Sequence, residues 1–339
     1  MLELEQDRSG RHRLKHFAVS PLPPEAIVDG AFMNTSAIVA TIRDMVSRNR
    51  IKTRDAVVGV AGNSVIIKRI SLPLMTQEEL EESITWEAEQ YIPFDVNDVN
   101  IDAHILAGQA DEAGQMEVLL VAARKELINE YQSLVLEAGL RPAVVDVAAF
   151  ALENMHSLNY DTVADAVAIV NVGASTVNIN VLRNGVSAFT RDIGMGGRAY
   201  TEEIQRAMNV SYEEAESFKV GGGDTDRAAV VPEEVERVLS TVSENIATEV
   251  HRSLDFYLGS TSGSTLTRVL THVYLSGGAA PTPGLVLALE RACGCTVQLV
   301  DPFRRVQVDE RAFNPRFLQD AAPQAAIAVG LALRRGDDK

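Results

Sequence analysis

Residues 170–182 read "VNVGASTVNINVL", a glycine and three small residues enclosed by two apolar, β-branched runs. The alternation of Val, Asn and Ile has the period of a strand, so the stretch predicts strand, tight turn, strand. Glycine tolerates backbone angles that other residues avoid. The successive amides of Gly173, Ala174, Ser175 and Thr176 can therefore converge on one anion, which makes the turn a candidate phosphate cradle. Taken alone, the same residues read first as a plain hairpin.

Outward from this turn, residues 166–193 form a three-stranded meander, with Asn184-Gly185 as its second hairpin signal. In "RDIGMGGRAYTEEI" (191–204), Gly194, Gly196 and Gly197 separate a strand from a helix. In "AESFKVGGG" (215–223), Glu216 and Lys219 lie three apart on one helical face, a spacing that suits an ordinary solvated ion pair or a polar ligand. After the break "GGGDTD" (221–226), a long helix begins at Pro232, with Val235, Val238, Leu239, Val242, Ile246, Val250, Leu254 and Tyr257 spaced to bury one face. The loop "GSTSGSTLTR" (259–268) follows. "LSGGAAPTPG" (275–284) then leaves a strand and opens a helix, placing Gly277 and Gly278 where backbone can approach a flat or anionic ligand. The tail "APQAAIAVGLALRR" (322–335) reads as a small-residue helix.

The first half predicts a strand over 12–20, a helix over 35–49, and two strand-like runs around Gly62-Asn63. Thr76 and Glu79 have capping-box spacing ahead of a helix whose face is Leu80, Ile84, Ala88 and Tyr91. Residues 99–106 and 116–123 read as hairpin strands around "DEAG" (111–114), and 125–138 as a helix.

With 339 residues, the chain suits two lobes. Its 31 Lys and Arg against 47 Asp and Glu leave a charge of −16, which argues against nucleic acid or anionic lipid as a partner. No apolar run reaches the roughly 18–20 residues of a membrane span, and the N-terminal stretch is too polar for a signal peptide, so a cytosolic chain is expected. Cys293 and Cys295 have no histidine cluster beside them, so reduced thiols and no metal site are expected.

The order of phosphate turn, glycine break, acid–lysine helix and glycine-rich strand end resembles the actin-like ATPases. The implied fold is α/β, two-lobed and actin-like (ribonuclease-H-like), with the IC subdomain of the cell-division protein FtsA. Within that superfamily, "LPLMTQEELEESITWEAEQYIPFDVNDVNIDAHIL" (72–106), "VVDVAAFALEN" (144–154), "FTRDIGMGG" (189–197), "YLSGGAAPTPGL" (274–285) and "AVGLALRR" (328–335) are similar to the PilM family of type IV pilus assembly.

The resemblance implies lobe I core (IA) at 1–65, 141–165 and 324–339, with an inserted IC-like subdomain at 66–140. Lobe II core (IIA) falls at 166–200 and 266–323, and a helical IIB-like subdomain at 201–265. It implies ATP, with Mg²⁺, as the cofactor. Gly173, Ala174, Ser175 and Thr176 would form the second phosphate loop beside Gly196 and Gly197, Glu216 and Lys219 would reach ribose and base, and Gly277, Gly278 and Ala279 would form the adenosine loop. The implied partner is the cytosolic N-terminal peptide of a PilN-like inner-membrane protein, taken up in the groove between IC and IA, alongside other pilus assembly proteins. Trp86, Tyr91 and Phe94 are candidate anchors for it, though aromatics at these positions also suit the subdomain's own core. The chain is thus expected to be cytoplasmic and peripheral to the inner membrane.

Three departures from the family pattern bear on chemistry. A first strand and phosphate loop is expected before "LELEQ" and is absent there. Asn171 stands where related loops carry Asp, and Ala148 where relatives often carry Glu, leaving Asp146 as the nearby acid. A neutral amide binds a hard cation poorly, so no catalytic residue is assigned and hydrolysis is not expected. An active ATPase and an FtsA-like membrane-tethered filament are the alternatives; the ending "ALRRGDDK" lacks an amphipathic membrane helix.

Overall fold

The computed structural model describes residues 1–106, 114–162, 165–221, 232–259 and 270–336. Positions 222–226, 260–268 and 111–113 of the breaks and turn named above lie outside the described residues. Contacts divide the chain into one unit of Met1–Asn34 with Ala148–Arg334, and another of Thr35–Val147 with Arg335–Lys339.

The first unit opens with an antiparallel pair, β1 (Leu2–Gln6) and β2 (His12–Phe17). The Leu-Glu-Leu-Glu alternation of β1 is a strand signal that reads easily as a polar leader. Leu2 and Leu4 pack on the core with Leu14 and Phe17 of β2. A short hairpin follows, β3 (Ile27–Val28) with β4 (Ala31–Phe32).

The second unit begins with α1 (Thr35–Arg48), which buries Ile38, Val39 and Val46. Next come β5 (Asp55–Val60), β6 (Val65–Pro73), α2 (Gln77–Ala88), β7 (Val99–Ile105), β8 (Gln115–Arg124), α3 (Lys125–Glu137) and β9 (Arg141–Val147). The two runs around Gly62-Asn63 do not pair with each other. β5 lies parallel to β9, and β6 lies antiparallel to β8, which also holds β7. Burial decides these partners: Ile70 and Leu72 of β6 belong to the core built on Leu80, Ile84 and Ala88 of α2. The capping box is present, with Thr76 Oγ1 accepting the Glu79 N–H at 3.2 Å and the Glu79 carboxylate accepting the Thr76 N–H at 2.8 Å.

The first unit resumes with α4 (Ala148–Asn159), β10 (Ala166–Val172), β11 (Val177–Arg183), β12 (Val186–Ile193), α5 (Gly197–Met208), α6 (Tyr212–Lys219), α7 (Glu233–Gly259), β13 (Leu270–Ser276), α8 (Leu285–Cys293), β14 (Thr296–Leu299) and α9 (Pro315–Ala332). Five strands form one sheet in the order β12-β11-β10-β13-β14, an antiparallel meander continued by two parallel strands. Asn184 and Gly185 both have positive φ, 52° and 80°, as a type I′ turn requires. The strand period sorts β10 between two cores. Ala168, Val170 and Val172 face the one containing α7 and α8, whereas Val167 and Ile169 face the one containing α4 and α9. The apolar stripe of α7 is buried as its spacing demands, apart from a half-buried Val238. Among the described residues, no helix is long and apolar enough to cross a membrane.

His156 of α4 is 3% exposed, with its Nε2 buried and without a hydrogen-bond partner among the described residues. Its ring stacks on Tyr160 (5.1 Å between centroids) and meets Tyr274 edge-on (4.9 Å). Burial pushes its pKa down to about 4. The folded state thus binds this proton less readily than the unfolded one, and stability is lost as pH falls from 6.5 towards 4. Denaturant titrations should show a decline of about 2 kcal/mol across that window, and His156→Phe should flatten it.

Candidate functional site

The turn at Gly173–Thr176 is closed by the Gly173 N–H donating to Thr176 O at 2.9 Å. Two further loops pack directly on it. At the start of α5, the Gly197 and Arg198 amides donate to Gly173 O and Ala174 O, each at 2.8 Å. A Cβ on Gly196 would lie 2.6 Å from Gly173 O, so only glycine permits this approach. From the β13–α8 loop, the Ala279 N–H donates to Val172 O at 3.0 Å, while the Gly277 N–H donates to Pro323 O of α9 at 2.9 Å. Gly277 has φ +100°, and a Cβ there would lie 2.3 Å from Val172 O. The tight glycines of both loops are therefore needed first for loop-on-loop packing.

Glu216 and Lys219 of α6 join the same assembly. Lys219 Nζ meets the Glu216 carboxylate at 2.6 Å, with side chains 11% and 40% exposed. It also donates to Thr201 Oγ1 at 3.1 Å and to Gly197 O at 3.4 Å, and the Thr201 hydroxyl donates to Glu216 Oε2 at 2.7 Å. Sequence reasoning missed Thr201. The available signal was its position four residues after Gly197, one helical turn along the face that the glycine break buries. The structure thus gathers the phosphate-loop, glycine-break, α6 and adenosine-loop candidates of the first unit in one place.

Several donors at this place are left for a ligand. The Ala174 and Ser175 amides and the Ser175 and Thr176 hydroxyls make no hydrogen bond with described residues, and Ala174 and Gly278 are exposed. Two amides and two hydroxyls at a turn fit a phosphate group.

A divalent metal is a different matter. Asn171 sits in a polar row crossing four strands: Ser276 Oγ donates to Asn171 Oδ1 (3.3 Å), Asn171 Nδ2 to Asn178 Oδ1 (2.9 Å), and Asn178 Nδ2 to Asp192 Oδ1 (2.8 Å). The strand register aligns these residues as direct neighbours. Both ends of the Asn171 amide are engaged, and the carboxylate of the row lies at Asp192 on the exposed end. These residues do not fit Mg²⁺ at Asn171. Among the described residues, no group of three or more His, Cys, Asp or Glu could hold a metal.

In the second unit, the three aromatic candidates separate. Trp86 projects from α2 with 68% of its surface exposed. Tyr91 and Phe94 are half-buried against the α2 core, and Arg124 lies over the Phe94 ring at 4.4 Å. Cys293 and Cys295 are free and half-buried, and burial pushes the Cys293 thiol up to about 12.

A family model described as type IV pilus assembly protein PilM matches residues 1–336. A solved PilM-PilN type IV pilus biogenesis complex superposes with a TM-score of 0.84 at 27% identity, covering 100% of this chain and 95% of that one. Ethanolamine utilization protein EutJ from Carboxydothermus hydrogenoformans superposes with a TM-score of 0.54 at 16% identity over 91% of this chain and 77% of its own. Cell division protein FtsA of Neisseria meningitidis serogroup B is 22% identical over 332 residues, 87% of this chain and 80% of its own. The fold shared with these proteins is the actin-like ATPase fold.

Proposed function

The chain belongs to the type IV pilus assembly protein PilM family, and from that premise we propose that it is a cytoplasmic assembly component docking on the cytosolic N-terminal peptide of a PilN-like membrane protein. In this reading residues 66–140 form an IC-like subdomain between the IA segments 1–65, 141–165 and 324–339, with IIA at 166–200 and 266–323 and IIB at 201–265. Localisation at the inner membrane comes through the partner. What supports docking is Trp86, the one tryptophan of the chain, left 68% exposed on a helix whose other face is fully packed. Exposed aromatics of this size carry much of the energy of protein interfaces. Tyr91 and Phe94, just past the end of α2, pack on its core and hold the helix end in place.

ATP is held in a structural role. The amides and hydroxyls of Gly173–Thr176 take its phosphates, Gly196 and Gly197 frame that turn, Glu216 and Lys219 orient the ribose, and Gly277–Ala279 lie along the adenosine. Bound nucleotide supplies a polyanion that ties these loops together. Turnover is disfavoured, because the Asn171 amide is engaged by Ser276 and Asn178.

Since Trp86 is the single tryptophan, its own fluorescence reads the docking. Titration with a synthetic PilN-like N-terminal peptide should shift the emission to the blue. Trp86→Ala should weaken binding, followed by calorimetry, by about 2 kcal/mol or more with the fold intact. No binding by folded protein at micromolar peptide would sink the docking reading.

A further inference from the structure

In the second unit, α1 and α3 end side by side and close in the same way. At α1 the Ile51 N–H reaches back to Val46 O (3.0 Å) and the Arg50 N–H to Ser47 O (3.1 Å); at α3 the Leu140 N–H reaches Val135 O (3.1 Å) and the Gly139 N–H Leu136 O (2.9 Å). This paired closure puts one residue in the left-handed region. In α3 it is Gly139 (φ +82°), which adopts it freely, but in α1 it is Arg50 (φ +51°).

Between the two ends lies a cavity of about 780 Å³ lined by four cations, Arg43, Arg50, Lys52 and Arg54, and by no acid. Its floor is apolar: Val46, Ile51 and Ala138 are all buried. Arg43 donates to the Glu137 carbonyl, and none of the four forms an ion pair among the described residues. Of the acids next to the lining, Asp44 pairs with Arg48 and Asp55 with Arg141, each at 2.8 Å, while Glu137 ends α3 beside Ala138.

Cations at helix C-termini complement the helix dipole, and this accounts for part of the cluster. Each end carries roughly half a negative charge, so two ends offset about one of the four cations, and the Glu137 carboxylate at the end of α3 about one more, leaving about two. Such a surplus, gathered in one depression of a chain of net charge −16, stands out from the surface around it.

We infer that this cavity binds an acidic segment of a protein partner, with carboxylates on the rim and an apolar side chain on the floor. Four cations with no acid in the lining call for a polyanion, and Val46, Ile51 and Ala138 beside them suit an apolar side chain, which a peptide carries and inorganic phosphate lacks. None of Trp86, Tyr91, Phe94 or the nucleotide-site candidates lines the cavity.

The test is fluorescence anisotropy of the full chain with fluorescein-labelled Glu-Glu-Asp-Leu-Glu-Glu-Asp, beside its Gln/Asn counterpart, in about 50 mM salt. The acidic peptide should bind saturably. The neutral counterpart and the triple variant Arg50→Gln, Lys52→Gln, Arg54→Gln should each weaken binding about tenfold or more, while Arg48→Gln leaves it within about twofold. Arg50→Gly adds a readout that a merely structural arginine would not produce: the thermal midpoint rises as the strained position is relieved, yet peptide affinity falls. Equal binding by the folded triple variant would overturn the inference, as would no binding by wild type at about 1 mM peptide. So would triple-sensitive binding of phosphatidylglycerol vesicles or inorganic phosphate with none of the peptide.

Discussion

Gly330→Ala is expected to leave little folded protein, with a loss of about 4–5 kcal/mol where any can be measured. A Cβ at position 330 would sit 1.7 Å from Ala151 O, 2.4 Å from its carbonyl carbon and 2.9 Å from its Cα. These are backbone atoms of α4, so no rotamer change relieves the overlap and the helices must move apart. Ala151 is fully buried, and the same crossing packs Leu152, Met155 and Val329, so separation opens voids where side chains now interdigitate. Urea titration followed by circular dichroism measures the loss. A variant within about 1 kcal/mol of wild type would mean that the two backbones are not in contact.

Gly277→Ala is expected to destabilise by about 3–5 kcal/mol and to dismantle the candidate nucleotide site with it. Two penalties coincide: φ +100° disfavours any side chain, and a Cβ would meet the Val172 backbone at 2.3 Å (O), 2.6 Å (C) and 2.8 Å (N). The loop that must shift carries the Ala279 N–H to Val172 O bond and borders Gly197. Gly278→Ala is the internal control. Its nearest neighbour would be Gln324 Oε1 at 3.7 Å, so a change within about 1 kcal/mol is expected. Comparing the two variants by thermal melts, with and without ADP, separates fold from ligand. Equal melting of both variants would contradict the close approach of the loops.

Much of the architecture is legible in local patterns, because local patterns set the elements. Thr76 and Glu79 mark the start of α2, Asn184-Gly185 marks a type I′ turn, and the spacing from Val235 to Tyr257 marks the buried face of α7. Less legible are the partners of β5 and β6. Proximity across Gly62-Asn63 suggests pairing, but each strand has an apolar face that finds its complement on a different element, β9 in one case and β8 with α2 in the other. The candidate site divides likewise. Its glycines are visible as breaks in the sequence, whereas Thr201, which links Lys219 to Glu216, becomes visible only when α5 and α6 are set together.

Around "VNVGASTVNINVL", the sequence by itself determined the strand–turn–strand, the small residues of the loop and the loss of an acid at position 171. Local propensity and side-chain identity suffice for those. The tertiary structure decided what the neighbouring glycines are for and where the carboxylate went. Gly196 and Gly277 admit two distant loops to within hydrogen-bond reach of this turn. Strand register lines up Ser276, Asn171, Asn178 and Asp192 so that the negative charge sits on β12, two strands from position 171 of β10, where it is missing. Both are contacts between segments far apart in the chain, fixed by packing rather than by any pattern along it.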